Sequence, residues 1–190
     1  METNSEKLSA QQSLDIIADM IDQAKGSVQQ NSFYFLLWGW TILIANLGMF
    51  SLIKLHYEYP YAIWLITIPP WLYSLYQGYN RDGSAKSVTH LGKITVWLWL
   101  SFGIVIFTLV VFGYQINFHL NPVILVVSAM PTLLSGIVIK FKPLIVGGIV
   151  FWVMGIICFM VPTDIQYLVG ALAILGGYII PGYMLKTKQA

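Results

Sequence analysis

Apolar residues run in long blocks along this chain, and charges fall almost only between the blocks. Five stretches carry no Asp, Glu, Lys or Arg: 26–53, 59–80, 94–139, 143–163 and 165–185. A helix that crosses the hydrocarbon core of a bilayer takes about 20 residues. Four of the stretches fit one crossing each. The third would make a helix of about 69 Å, over twice the hydrocarbon thickness, so it must fold back. "YQINFHLNP" at 114–122 supplies the break, with polar residues and a proline suited to a helix start. The pattern therefore predicts six apolar helices, over about 33–53, 61–79, 94–114, 122–139, 143–161 and 166–185. The predicted fold is all-α: a polytopic membrane protein with six transmembrane helices in 31–190, preceded by a cytoplasmic amphipathic helix in an N-terminal arm, 1–30.

The second segment departs from this simple pattern. In "YAIWLITIPPWLYSLYQG", Pro69 and Pro70 remove two backbone donors and free the carbonyls of Leu65 and Ile66. In lipid those carbonyls need other partners. A kinked spanning helix is preferred. A re-entrant segment is the alternative, and it would move the N-terminus to the other side of the membrane.

Composition agrees with a membrane protein. Hydrophobic residues make up 57% and charged residues only 9%, with mean hydropathy +0.73; a soluble domain carries about 25% charged residues. The net charge of +2 gives no field that would favour nucleic acid. Cys158 stands alone, so neither an intrachain disulfide nor a cysteine metal cluster is expected. The polar, acidic start does not resemble a signal peptide.

Basic residues set the expected orientation. Lys7, Lys25, Arg81, Lys86, Lys93, Lys140, Lys142, Lys186 and Lys188 fall on one side of a six-helix threading, and Lys54 alone falls on the other. The positive-inside rule makes the first side cytoplasmic, and both termini with it. Arg81, Lys86, Lys93, Lys140 and Lys142 are read as topology anchors. Two lysines in "KFKP" (140–143) are too few to define an anion site. A re-entrant second segment gives eight basic residues inside and two outside, nearly as good a count.

The arm "SAQQSLDIIADMIDQAKGSV" has the marks of an amphipathic helix. Ser9 and Gln12 fit a capping box. Leu14, Ile17, Met20, Ile21, Ala24 and Val28 recur at helical spacing, with Asp15, Asp19 and Asp22 off the stripe. Helices that lie on anionic membrane surfaces carry Lys and Arg on the polar face. This acidic one favours docking on protein, and Leu14, Ile17 and Ile21 are the expected docking residues; a plain connector is the alternative. Gly26 marks either a hinge or a weak spot in a continuous helix.

Chemistry-bearing residues are few. No acidic or basic side chain falls inside a predicted span, which disfavours ion-coupled transport. There is no HExxH, and His56, His90 and His119 fall in predicted loops on different sides. No catalytic residue, metal or cofactor is expected. Asn121, Ser128, Thr132 and Ser135 share one face of the fourth segment beside Pro131, and could form a small polar pocket. Ser128, Thr132 and Gly136 also make a small-residue packing face, and with small faces on the next two segments packing is the preferred reading. Gly148 and Gly155, and then Gly170, Ala173 and Gly177, extend small faces to the fifth and sixth segments. Gly148→Leu or Gly155→Leu is accordingly expected to cost more than Leu144→Ala. Asn46, deep in the first segment, is expected to make an interhelical hydrogen bond. Trp71 and Trp152 also fall deep; with Tyr73 and Tyr76 they could line an apolar pocket, but lipid-facing or core positions are preferred.

"FYFLLWGW" (33–40), "KFKPLIVGG" (140–148), "IIPGYMLK" (179–186) and the acidic arm together resemble a family of small six-helix bacterial membrane proteins of the Bacteroidetes type. The resemblance covers most of the length. It implies a bacterial inner-membrane location and no particular chemistry. The expected function is non-enzymatic: a regulatory or accessory subunit in contact with membrane lipid, acting through a protein partner on the arm. A small permease, or a protein that binds lipid or an apolar solute, is the alternative.

Overall fold

Charge-free sequence becomes helix almost without interruption. The computed structural model describes residues 10–81, 90–116 and 120–187, with side chains over 32–77, 94–115 and 120–187. Its helices are α1 (Ala10–Lys54), α2 (Ile68–Arg81), α3 (His90–Val111), α4 (Leu120–Val138), α5 (Lys142–Phe159), α6 (Thr163–Ile174) and α7 (Ile180–Thr187). A 3-10 segment, Pro60–Thr67, precedes α2, and a π turn, Leu175–Ile179, joins α6 to α7. Among the described residues, five helices are long and apolar enough to cross a membrane: Ser32–Lys54, Ile94–Val111, Leu120–Val138, Lys142–Phe159 and Thr163–Thr187.

The predicted second span is the one that differs, because 60–81 is not a single α-helix. The two prolines explain the change. Leu65 loses its α-helical donor to Pro69, and its carbonyl accepts instead from the Ile68 N–H, three residues on. The Thr67 hydroxyl donates to the Trp64 carbonyl at 2.7 Å. The segment nevertheless retraces α1. Ile63 lies so close to Gly48 that a β-carbon there would sit 2.8 Å from its Cγ1. Further along, Trp38 Nε1 donates to Ser74 Oγ at 3.3 Å, and the Phe33 and Tyr73 rings meet at 5.8 Å. Gly48 and Phe33 are about 22 Å apart along the helix.

The arm and the first span form one helix. α1 has 45 residues and passes through Gly26 without a break. Ser9 and Lys7 lie outside the described residues. The side chains of the apolar stripe, Leu14, Ile17 and Ile21 included, lie outside the described side chains.

Two left-handed residues end helices in the same way. His56 (φ 52) follows α1 and Lys140 (φ 54) follows α4. Phe141 N–H donates to Gly136 O at 2.8 Å and Lys140 N–H to Ile137 O at 3.1 Å; Tyr57 and His56 make the matching pair to Leu52 and Ile53. These are Schellman caps with a basic residue where glycine is usual. At α4 the positive charge of Lys140 beside the helix C-terminus offsets part of the left-handed cost. Phe141 then begins α5, with Pro143 in its first turn.

The core lies between α1, α4, α5 and the α6–α7 rod. α4 and α5 form the closest pair. A β-carbon on Gly136 would meet Ile145 N at 2.7 Å, one on Gly148 would meet Leu133 N at 2.8 Å, and one on Gly155 would meet Val126 Cγ2 at 2.6 Å. Each step along α4 is matched by an equal step back along α5, so the small residues set one antiparallel register. Leu144 is 1% exposed at the centre of this packing. It is a core residue, so Leu144→Ala is a cavity-forming change and not the mild reference that the sequence suggested. By contrast, α3 lies at the edge of the core: none of its residues from 94 to 111 is fully buried, Trp99 packs against the core, and Gly103 has open space beside it.

Candidate functional site

Polar side chains inside the bundle gather in two layers. The first lies at the level of Phe35. Thr132, fully buried, donates its hydroxyl to Ser128 O at 2.7 Å. With that proton committed, Thr132 Oγ1 accepts from the Tyr178 hydroxyl, 3.2 Å away. Ser128 itself donates to Ile124 O at 2.6 Å. Trp99 Nε1, arriving from α3, donates to Ser135 Oγ at 3.2 Å. Rings close the layer: Tyr178 meets Phe151 at 4.7 Å and Phe35 at 5.7 Å, and Phe35 meets Trp99 at 6.1 Å. The structure thus brings Ser128, Thr132 and Ser135 onto one buried face of α4, where each hydroxyl has a protein partner. This face holds helices together.

Tyr178 reaches this layer because of the π turn. Ile180 N–H donates five residues back, to Leu175 O. Pro181 has no N–H to return to Gly177, so the α pattern fails just before it. The extra residue turns Tyr178 inward, while Gly177, bare of a β-carbon, admits the Phe151 ring. Tyr178 and Phe151 are absent from the residues that sequence reading singled out. The available signal was a glycine pair followed by tyrosine and proline within one apolar run, "GGYIIP".

The second layer lies nearer the Lys54 end. Asn46 is 2% exposed. Its Nδ2 donates to Ile42 O on its own helix at 2.9 Å. The expected interhelical hydrogen bond is therefore not made by this amide: one turn of its own helix offers the nearest acceptor. Asn46 Oδ1 is buried without a hydrogen-bond partner and points at Gly170, where a β-carbon would come within 2.6 Å of it. Asn121 Nδ2 donates to Gln166 O at 2.7 Å, and Cys158 Sγ approaches the same carbonyl at 3.6 Å. Gln166 Nε2 donates to Val161 O at 3.3 Å. Asn121, about two turns before Ser128 on the same face of α4, thus belongs to the second layer, with Asn46 and Gln166.

The aromatic candidates do not assemble. Trp71 is 54% exposed and Trp152 is 55% exposed, on elements facing outward. Tyr73 and Tyr76 are exposed beside Trp71. The basic residues separate by end. Lys54 Nζ meets Asp164 Oδ2 at 2.6 Å, tying the end of α1 to the start of α6. Lys140 and Lys142 bracket the α4–α5 turn at the opposite end, and Arg81 and Lys93 fall at the α2 and α3 ends on that same side. Lys86 lies outside the described residues, as does His119. Among the described residues, no three His, Cys, Asp or Glu side chains group to hold a metal ion. Comparison of the chain with protein-family models, curated protein sequences and solved structures gives no match.

Proposed function

We propose that this chain is a non-enzymatic integral membrane protein that acts through a protein partner, as a regulatory or accessory subunit of a bacterial inner membrane. The observation that carries the reading is the continuity of α1 from Ala10 to Lys54. It joins an acidic, apolar-striped arm directly to a span whose Phe35, Leu43 and Asn46 are buried in the core. A partner held on the arm is mechanically coupled to the bundle. The reading also takes 60–81 as a sixth crossing, since it retraces α1 from Gly48 to Phe33. Six crossings place both termini on the cytoplasmic side with nine of the ten basic residues. The permease or solute-binding alternative loses its aromatic pocket, because Trp71 and Trp152 point outward.

Gentle detergent extraction of the full chain, wild type beside an Ile17→Asp/Ile21→Asp variant, tests the reading. A stoichiometric partner should be present with the wild type and lost with the variant, while insertion is unchanged. An identical set of proteins from both, with a bound lipid or solute, would overturn it in favour of the alternative.

A further inference from the structure

We infer that α3 is a detachable flank of the bundle, and that Trp99 is the latch that seats it. The five apolar spans are held unequally. Between 33% and 61% of the residues in the other four are buried, and none in α3. The less exposed residues of α3, Thr95, Leu98, Trp99, Phe102, Ile106 and Leu109, recur at helical spacing, so the helix rests on the bundle by one narrow face. In a bilayer the lipid tails are as apolar as these side chains, and no hydrophobic force presses α3 inward. Packing and interhelical hydrogen bonds must hold it, and its packing is slight.

Trp99 ties that face to three elements of the core. Its indole N–H donates to Ser135 Oγ on α4 at 3.2 Å, and its ring meets Phe35 of α1 at 6.1 Å and Tyr178 of the π turn at 6.4 Å. The hydroxyls of Ser101 and Thr108, by contrast, donate to carbonyls of α3 itself, those of Trp97 and Ile104. When α3 moves away, lipid tails replace its apolar contacts but not the bond to Ser135. That bond therefore sets the balance between a seated and an unseated α3. Unseating opens the side of the bundle, uncovering the otherwise buried Ser135 and one edge of Tyr178 toward the lipid. It also takes away one of the rings packed on Phe35. The latch rests on these contacts alone and does not depend on the arm or its partner.

Pulsed electron paramagnetic resonance of the full chain in lipid nanodiscs tests the inference. In a Cys158→Ser background, spin labels on cysteines replacing Phe107 of α3 and Ile156 of α5, both exposed, report the seating. With the latch intact, one main distance is expected. Trp99→Phe keeps a ring and removes the N–H, and Ser135→Ala removes the acceptor. Each should add a second, longer distance, raising the ratio of unseated to seated chains by about 3- to 20-fold, the range that an interhelical hydrogen bond in lipid supports. The double variant should do no more than either single one, because both remove the same bond. Trp97→Phe, on the exposed side of α3, should leave the distances unchanged. Unchanged distances in both Trp99→Phe and Ser135→Ala overturn the inference. So do additive effects in the double variant, which would give the two residues separate packing roles. An equal change in Trp97→Phe overturns it as well, by making the loosening a property of the whole helix.

Discussion

Replacing Gly148 by alanine adds one methyl group where two helix backbones touch. That β-carbon would lie 2.7 Å from Leu133 Cβ and 2.8 Å from Leu133 N. Relaxed carbon contacts sit at about 3.5–4.0 Å, so α4 and α5 must part by about 1 Å at this level. No rotamer change relieves the clash, because one of the obstructing atoms is backbone and the other is the first side-chain carbon. The separation also loosens Gly136 against Ile145 and Gly155 against Val126, which share the register. Overpacking of this kind costs about 1–3 kcal/mol. Alanine also favours a helix over glycine by about 0.8–1.0 kcal/mol, which would mask part of the loss in a single measurement. Gly103→Ala isolates that gain, since nothing lies within 4 Å of its β-carbon position. Reversible unfolding in mixed micelles of increasing denaturing-detergent fraction, followed by circular dichroism, measures both variants. Gly148→Ala should be less stable than Gly103→Ala by about 1–3 kcal/mol, because the propensity gain cancels between them. Equal stabilities would refute a register set by backbone contact at the small residues.

Two further outcomes follow from charge and threading. In a Cys158→Ser background, single cysteines replacing Lys25 and Lys140 should be labelled only from the cytoplasmic side, and one replacing Lys54 only from outside; external labelling at position 25 would remove the sixth crossing. A double-mutant cycle on Lys54 and Asp164, whose side chains are 55% and 26% exposed, should give a small coupling that shrinks as salt is added; a large, salt-insensitive coupling would mean that the pair is shielded from water.

Much of the architecture was legible because the bilayer imposes a length and charges mark its limits. Lys140 and Lys142 located the α4–α5 turn to within a residue, and Pro143 falls in the first turn of the restarted helix. The break within 94–139 fell at "YQINFHLNP", between α3 and α4 as expected. Small residues spaced along the fourth and fifth segments correctly marked close helix contact, since only a missing side chain lets backbones approach. Other features depended on which partner lay opposite, and periodicity carries no such information. Trp71 and Trp152 were deep along their segments, yet depth does not decide between core and lipid. Asn46 met its own helix first. Pro69 and Pro70 signalled a broken helix, but the 3-10 form followed from the one donor left in reach, Ile68 N–H. The π turn that delivers Tyr178 arose from Pro181, three residues further on, and its sign in the sequence was the short "GGYIIP" inside a run that otherwise reads as plain helix.

The uninterrupted α1 is also a lever. From Ala10 to Ser32 it extends about 33 Å along its axis, and about as far again to Lys54. If the membrane-spanning half tilts by about 10°, the far end of the arm swings by roughly 6 Å, a displacement longer than one helical turn. Ser32 and Phe35, where the arm meets the bundle, are buried and would act as the pivot of such a tilt. Small rearrangements around Phe35, Trp99 and Tyr178 are thereby amplified at the arm tip. Conversely, a force applied at that tip is passed to the bundle, where a flexible linker at Gly26 would have dissipated it.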